Sequence, residues 1–492
     1  MKYPSLRLPS VLLAAAALVA PLGGCAVGPN YVRPSAPLSP TFKEAAGWSP
    51  AAPADTLDRG DWWTLFNDPT LSALEAKVQV SNQNIIAAEA AYREARVTVS
   101  EQQAALFPTV TLNGSGTRSG SGGGGGTLIV NPDGSTSGGA GGGGARSTYR
   151  ASLGASWEPD VWGRIRRTIE GAKSNAQASA ADLAAARLSA QGELATDYFG
   201  LREADAEIAL DQATVTAYQR SLTIAQNRYQ AGVTVKSDVY QATTQLANAQ
   251  ADMAGSQQQR ANFEHAIAVL AGEAPGAFTL VAAPWVANVP PIPAIVPSTL
   301  LQRRPDIAGA ERRVQAANAQ IGVQTAAYFP TIPLTGSYGF ASSALGSLFN
   351  SSNSLWSYGA SIAETVFDAG ARHARVGEAK AAHDQAVAKY RETVLEALQN
   401  VENELTATQV LAQQTDLRRQ ASTAADAAET IVANQYRSGQ VVYTDVVTAQ
   451  TAAYTARRAL AQIASQRQTT AVALIQSLGG GWKAGSDPKV SR

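Results

Sequence analysis

Residues 147–157 read STYRASLGASW, in which Tyr149, Ala151, Leu153, Ala155 and Trp157 alternate with Thr148, Arg150, Ser152, Gly154 and Ser156. A side-chain period of two makes a strand with one apolar and one polar face. The pattern returns at Trp356, Tyr358, Ala360 and Ile362, set against Ser357, Gly359, Ser361 and Ala363, and again at Ile332, Leu334, Tyr338 and Phe340. Val110 and Leu112 mark a weaker fourth strand. Each segment is near the roughly 9–11 residues of a tilted membrane strand. Tyr149, Trp157 and Trp356, at strand ends, suit interfacial aromatic girdles. A soluble sheet with one wet face would alternate in the same way. The leader and the long helices described below favour the membrane. Four strands cannot close a barrel alone, because the smallest membrane barrels have about eight. Open edges are not tolerated in hydrocarbon. Strands that cross the membrane here therefore imply several chains sharing one barrel.

The chain repeats itself, which is the feature to seek first. Ala104-Ala105-Leu106-Phe107-Pro108-Thr109-Val110 returns as Ala326-Ala327-Tyr328-Phe329-Pro330-Thr331-Ile332. Gly154-Ala155-Ser156 returns as Gly359-Ala360-Ser361, and Asn227-Arg228-Tyr229-Gln230-Ala231-Gly232 as Asn434-Gln435-Tyr436-Arg437-Ser438-Gly439. Each of the last pair is followed by Asp-Val, at Asp238-Val239 and Asp445-Val446. The order predicts a tandem duplication of helix, strand, loop, strand, long helix, turn and helix. Repeat one is expected over 69–272, with strands 108–118 and 147–158, a loop 119–146, a long helix 164–230 and a helix 236–271. Its opening helix runs from Pro69 to Leu106, stopped by Pro108. Repeat two is expected over 304–479, with strands 331–341 and 354–364, a long helix 371–437 and a helix 443–478. A proline-rich connector, 273–303, joins them, and a tail follows at 480–492. The 67-residue run 164–230 contains no proline, and at 1.5 Å per residue it is on the order of 100 Å long. Ile165, Ile169, Ala172, Ala176, Ser179, Leu183, Ala186 and Ala190 follow a 4-3 spacing of mostly small residues, a seam for close helix packing. The glycine-rich stretch 114–144 lacks the Gly-Lys-Ser/Thr ending of a phosphate loop and reads as a surface loop.

Charge is balanced, with 39 basic and 39 acidic residues, so no nucleic-acid partner is implied. The lone cysteine, Cys25, excludes an internal disulfide. Lys2 and Arg7 precede the short apolar stretch 11–21, the pattern of a signal peptide over 1–24. Leu22-Gly23-Gly24-Cys25 resembles a bacterial lipoprotein cleavage box, which would leave Cys25 acylated at the head of a segment 25–68. Several acyl chains anchor stably where one binds marginally. No histidine-serine-aspartate set, no metal-ligand spacing among the three histidines and no nucleotide-binding loop is present, so neither a cofactor nor an enzyme is expected. Glu158, Asp160 and Asp368 lie where strands turn into long helices, as pore-wall or capping acids.

Cys25-Ala26-Val27-Gly28-Pro29-Asn30-Tyr31, Leu300-Leu301-Gln302-Arg303-Arg304-Pro305-Asp306-Ile307, Ala316-Ala317-Asn318-Ala319-Gln320-Ile321-Gly322 and Tyr328-Phe329-Pro330 together resemble the outer membrane factor family. These are the TolC-like channels, in particular the NodT-like lipoprotein branch serving resistance-nodulation-division pumps. The resemblance covers nearly the whole mature chain. It implies a homotrimer whose four strands per protomer form a twelve-stranded outer-membrane barrel continued by a periplasmic α-barrel. It further implies a passive exit duct for small molecules, with a periplasmic adaptor and an inner-membrane pump as partners. The helix-turn-helix tips, with Arg228, Tyr229 and Gly232 in one and Arg437 and Gly439 in the other, would dock the adaptor. A glycine past each long helix also suits a C-terminal cap. By the same resemblance, Asp445 would line a gate near the pore axis, where three copies would attract cations, and Tyr436 would hydrogen-bond to hold the tip inward. Val441 and Thr448 stand where gated members often carry an arginine and a second aspartate, so the gate here is weaker or built differently. The alternative for Asp445 is a helix N-cap or first-turn acid.

Overall fold

The computed structural model describes residues 26–36, 42–43, 61–120, 128–130, 136–138, 145–290 and 304–480. The leader 1–24, Cys25, most of the glycine-rich loop, residues 291–303 of the connector and nearly all of the tail lie outside the described residues. The elements run α1 (Pro69–Ser81), α2 (Gln83–Ala104), β1 (Thr109–Ser119), β2 (Leu128–Val130), β3 (Thr136–Gly138), β4 (Arg146–Trp157), α3 (Arg164–Gln230), α4 (Lys236–Leu270), α5 (Pro305–Ala326), β5 (Leu334–Ser342), β6 (Ser354–Ala360), α6 (Ala371–Arg437) and α7 (Tyr443–Ser477). The duplication is visible in the lengths: α3 and α6 are 67 residues each, α4 and α7 are 35 each. Among the described residues no helix is long and apolar enough to cross a membrane.

The chain divides into two compact units. The first, from residues 1–32, 96–174 and 315–384, holds an antiparallel four-stranded sheet of order β1-β4-β5-β6. Its register sorts the side chains. Leu112, Leu153, Tyr338 and Trp356 lie in one row across the sheet, and Val110, Ala155, Gly336 and Tyr358 in the next row on the same face. The opposite face carries Thr111, Gly154, Ser337 and Ser357, with Asn113, Ser152, Gly339 and Leu355 beside them. One face is thus apolar and the other is rich in hydroxyls, apart from Leu355. Leu112, Leu153, Tyr338 and Trp356 are all more than half exposed, so the described residues leave this row of the apolar face largely uncovered, while Phe349 packs on Phe340 two residues along β5. Gly116 sits under the ring of Tyr149, its cross-strand partner, where an added Cβ would come within 3.2 Å.

Three boundaries differ from the sequence-based expectation. The run 69–106 is two helices, broken at Asn82. That side chain accepts from the amides of Asn84 (3.0 Å) and Ile85 (3.1 Å) and donates to the Leu270 carbonyl (2.9 Å), so it caps α2 while replacing a helical bond. The expected strands 331–341 and 354–364 are shortened to β5 and β6, since Pro330 and Pro333 remove ladder donors. The ladder nevertheless resumes in the same register as a bridge between Thr331 and Ala363, with Ser361 donating to Pro333 at 3.2 Å. The glycine-rich segment contains a small hairpin, β2 with β3.

The second unit, residues 33–95, 175–314 and 385–492, is helical. Its core gathers Trp62, Trp63 and Phe66 of a 3-10 turn with Leu71, Leu74 and Val78 of α1, Leu194, Tyr198 and Phe199 of α3 and Val472, Leu474 and Ile475 of α7. Asp68 caps α1, accepting from Thr70 and Leu71, and also takes the Tyr198 hydroxyl at 2.6 Å. The described part of the connector is stitched down by polar side chains. Arg202 donates to the Val281 carbonyl (3.0 Å), Glu264 accepts from the Leu280 amide (2.7 Å) and Trp285 donates to Gln468 (2.9 Å).

Candidate functional site

Both strand-to-helix junctions are built on an aspartate. Asp160 accepts from the amides of Ile165 (3.0 Å) and Arg166 (2.8 Å), capping the start of α3. Asp368 does the same for α6, accepting from the Arg372 amide at 3.0 Å and its Nε at 2.8 Å. Those Arg372 bonds hold the Asp368 carboxyl below the usual carboxylate range. Both acids are therefore caps, satisfying orphan donors at a helix N-terminus.

The segment just after Cys25 is bolted to the same unit. Arg167, buried on α3, donates to the carbonyls of Val27 (3.3 Å) and Gly28 (3.2 Å) and to Asn30 Oδ1 (3.0 Å). Asn318 of α5 donates to the Pro29 carbonyl at 3.0 Å. Gly28 has φ +93°, and a Cβ there would lie 2.5 Å from the Gly322 Cα. The two glycines belong to two separate motifs of the sequence: the Gly322 backbone excludes a side chain at Gly28, and the Arg167 side chain, 2.9 Å from where a Cβ of Gly322 would lie, crowds one at Gly322. Cys25 itself is outside the described residues.

The hairpin tips lie in the second unit. Each long helix ends in a glycine at positive φ, Gly232 at 71° and Gly439 at 78°. Val233 donates to the Arg228 carbonyl and Gln440 to the Gln435 carbonyl, at 2.9 and 2.8 Å. These are the six-to-one bonds of a Schellman cap. Between the hairpins a small apolar core collects Tyr218, Leu222, Leu246, Tyr436, Tyr443 and Val446. The repeat breaks its own symmetry here: Tyr436 is buried whereas its counterpart Tyr229 is 43% exposed. Tyr443, whose repeat counterpart is Lys236, packs its ring 5.5 Å from that of Tyr436, and Arg228 covers it as well. Its guanidinium sits 4.7 Å from the centroid of the Tyr436 ring and donates Nη1 to the Tyr436 carbonyl at 2.9 Å. A cation thus occupies the negative end of α6.

The expected hydrogen bond from the Tyr436 hydroxyl is absent: that oxygen is buried without a partner among the described residues. Burial raises its pKa, Arg228 opposing the shift, and the neighbouring Tyr443 is pushed up to about 12, chiefly by burial. Arg437 is exposed and donates to Asn434 Oδ1 at 2.8 Å. Asp445 is an exposed acid in the first turn of α7. The N-cap position belongs to Val442, and no side chain caps there. Its repeat counterpart Asp238 accepts from the Thr234 hydroxyl; Val441, in place of that threonine, leaves Asp445 without such a partner. Among the described residues no His, Cys, Asp or Glu cluster could hold a metal ion. Sequence reading missed Arg228 as an inward-facing residue, Tyr443 as core and Arg167 as the tether. The Arg228–Gln435 mismatch within the repeat was the one signal for the first.

A sheet apolar on one face and hydroxylated on the other, in a chain with paired long helical hairpins, defines the class of outer-membrane channel proteins. The chain belongs to the outer membrane efflux protein family, whose model matches residues 67–273 and 296–480. It is 30% identical over 466 residues to the probable efflux pump outer membrane protein TtgC of Pseudomonas putida, covering 94% of this chain and 93% of that one. Among solved structures it resembles the outer-membrane channel OprN, with a TM-score of 0.81, 30% identity and coverage of 93% and 100%. It also resembles the open state of the MtrE outer membrane channel of Neisseria gonorrhoeae, with a TM-score of 0.81, 28% identity and coverage of 94% and 100%. The protein functions in efflux at the outer membrane.

Proposed function

We propose that this chain is a lipid-anchored protomer of a homotrimeric exit duct, passive and non-enzymatic, through which small molecules leave the cell. The observation that carries this reading is the sheet: four strands, both outer edges unpaired among the described residues, one face apolar and the other polar. Such a sheet is stable in lipid only when its edges are covered. Three copies would close a twelve-stranded barrel, within the range known for membrane barrels, with the hydroxylated face around water. The long helices would extend the duct into the periplasm. Acyl chains on Cys25 would hold the N-terminus, beside the segment that Arg167 fastens. Likeness to an efflux pump outer membrane protein supports a periplasmic adaptor and an inner-membrane resistance-nodulation-division pump as partners, the pump supplying the energy. The exposed parts of the tips, Tyr229, Gly232, Arg437 and Gly439, would meet the adaptor.

Asp445 would serve as the gate acid, its carboxylate free to face its symmetry mates and to attract cations. Reconstitution of the purified full-length protein in planar bilayers tests this. The wild type is expected to migrate as a trimer and conduct poorly, with block by divalent cations. Asp445→Ala should raise conductance and abolish the block. A lone, non-conducting chain would refute the duct, and unchanged cation block in Asp445→Ala would refute the gate role.

A further inference from the structure

The strands β1, β4, β5 and β6 contain no acidic residue, and their only charged side chains are arginines: Arg118, Arg146 and Arg150. All three lie in the half of the sheet farthest from the helices, since β1 ends at Ser119 and β4 begins at Arg146. The register divides them between the faces. Arg118, opposite Ser147, stands an even number of residues from Leu112 and so on the apolar face. Arg146, opposite Ser119, and Arg150, opposite Ser115 and Ala341, stand on the hydroxylated face. All three are exposed, and none has a hydrogen-bond or ion-pair partner among the described residues. The joining segments add little charge: residues 343–353 carry none and residues 120–145 only Asp133.

The helical end of the sheet is different. There Arg164 donates to Glu158 (3.1 Å), Arg166 to Asp160 (3.2 Å) and Arg372 to Asp368 (2.8 Å), each cation matched by an acid. A chain balanced at 39 basic and 39 acidic residues thus leaves one sign uncompensated at the far end of its sheet. Exposed charges act only within the screening length, about 8 Å at physiological salt. Twelve strands about 4.8 Å apart and tilted about 40° put the backbone about 12 Å from the barrel axis. A guanidinium projecting about a third of the way inward lies about 8 Å from that axis, so its field reaches the middle of the lumen. A concave wall of one sign also concentrates counter-ions, because its field lines are focused into the enclosed water.

Resting on the trimeric duct proposed above, we infer that Arg146 and Arg150 form an anion-attracting mouth at its outer end. The helices extend into the periplasm on that reading, so the arginine end of the sheet opens outside. Two guanidiniums per copy, about 13 Å apart along β4, make two stacked rings on the water side. They draw in small anions and the carboxylate, sulfonate or phosphate end of a departing molecule, groups that the planar fork of an arginine matches. Arg118 carries the same charge at the same end of the sheet, but on the lipid side, and takes no part.

Binding of the trisulfonated dye pyranine to the purified full-length protein in detergent, followed by fluorescence anisotropy, tests the mouth whether or not the tips are open. The wild type is expected to bind the dye at low salt and to release it as salt is raised. Arg146→Gln combined with Arg150→Gln should weaken binding about tenfold. Arg146→Lys with Arg150→Lys should retain most of it, and Arg118→Gln should leave it unchanged. In planar bilayers under a salt gradient, the double glutamine variant should move the reversal potential toward cation preference, and Arg118→Gln should not. A trimer whose dye binding and reversal potential are the same with and without the two arginines would overturn the mouth and leave the duct intact. Equal loss in Arg118→Gln would do the same. A monomeric species that forms no channel would overturn the duct reading itself.

Discussion

Glu75 lies on the face of α1 that carries Leu71, Leu74 and Val78, fully buried, and neither carboxyl oxygen has a partner among the described residues. Burial raises its pKa to about 9 from 4.5. The folded chain therefore holds a proton that the unfolded chain releases. Stability is unaffected below the unfolded value, falls as pH rises through the window between the two, and levels off above the folded value. The slope is about 1.4 kcal/mol per pH unit. Glu75→Gln should remove that slope, seen as thermal midpoints that no longer drop between about pH 5 and about pH 9. Two glycines make a contrasting pair. Gly439→Ala meets open space and should cost only the left-handed backbone penalty, about 1–2 kcal/mol. Gly28→Ala adds a clash with the Gly322 backbone, which cannot swing aside. Its melting temperature should fall further than that of Gly439→Ala.

Among the elements, helices α3, α4 and α7 are tied by buried polar links rather than by bulk alone. Ser256 and Tyr454 both donate to Asp211, at 2.7 and 2.8 Å, and Arg458 donates to Glu207 at 2.9 Å. Such links fix which helix faces which, since a slipped helix would strand a buried charge. The tips use a different device, the cation of Arg228 over Tyr436. Arg228→Gln installs the residue that repeat two carries at the equivalent position, Gln435. Loss of the cation–π contact should cost the tip about 1 kcal/mol. Hydrogen exchange should then quicken in the turn after α6 and the first residues of α7, with the sheet unchanged.

For the molecule as a whole, the duct proposed above would set the apolar face of the sheet against lipid and the hydroxylated face against water. Leu112 and Asn113 are neighbours on β1 with opposite faces, both exposed in the isolated chain. Leu112→Arg puts a charge on the apolar face and should destabilise the assembled protein by about 2–4 kcal/mol at mid-bilayer. The yield of heat-modifiable protein in outer membranes would report it. Asn113→Arg places the same charge on the hydroxylated face. It should assemble normally and shift ion selectivity toward anions, read from the reversal potential in a salt gradient.

Local and periodic features are legible in the chain itself. Alternation every second residue marks the strands and their faces, because side-chain direction depends only on position along a strand. The repeat at Phe107-Pro108 and Phe329-Pro330, the turn glycines Gly232 and Gly439, and the proline-free helical runs are equally local. Other features depend on distant partners and emerge only when the chain is folded. Gly28 needs Gly322, Asn82 breaks its helix because the Leu270 carbonyl awaits it, and Tyr436 is buried while Tyr229 is exposed because Arg228 and Tyr443 both close on the former. Glu75 sits at a position of helical periodicity that faces inward, and no residue beside it in sequence announces that its carboxyl will go unpaired. Propensity and spacing set what each segment becomes. Which atoms meet across hundreds of residues, and which strands end at the edges of the sheet, follow from packing and register, to which sequence proximity contributes nothing.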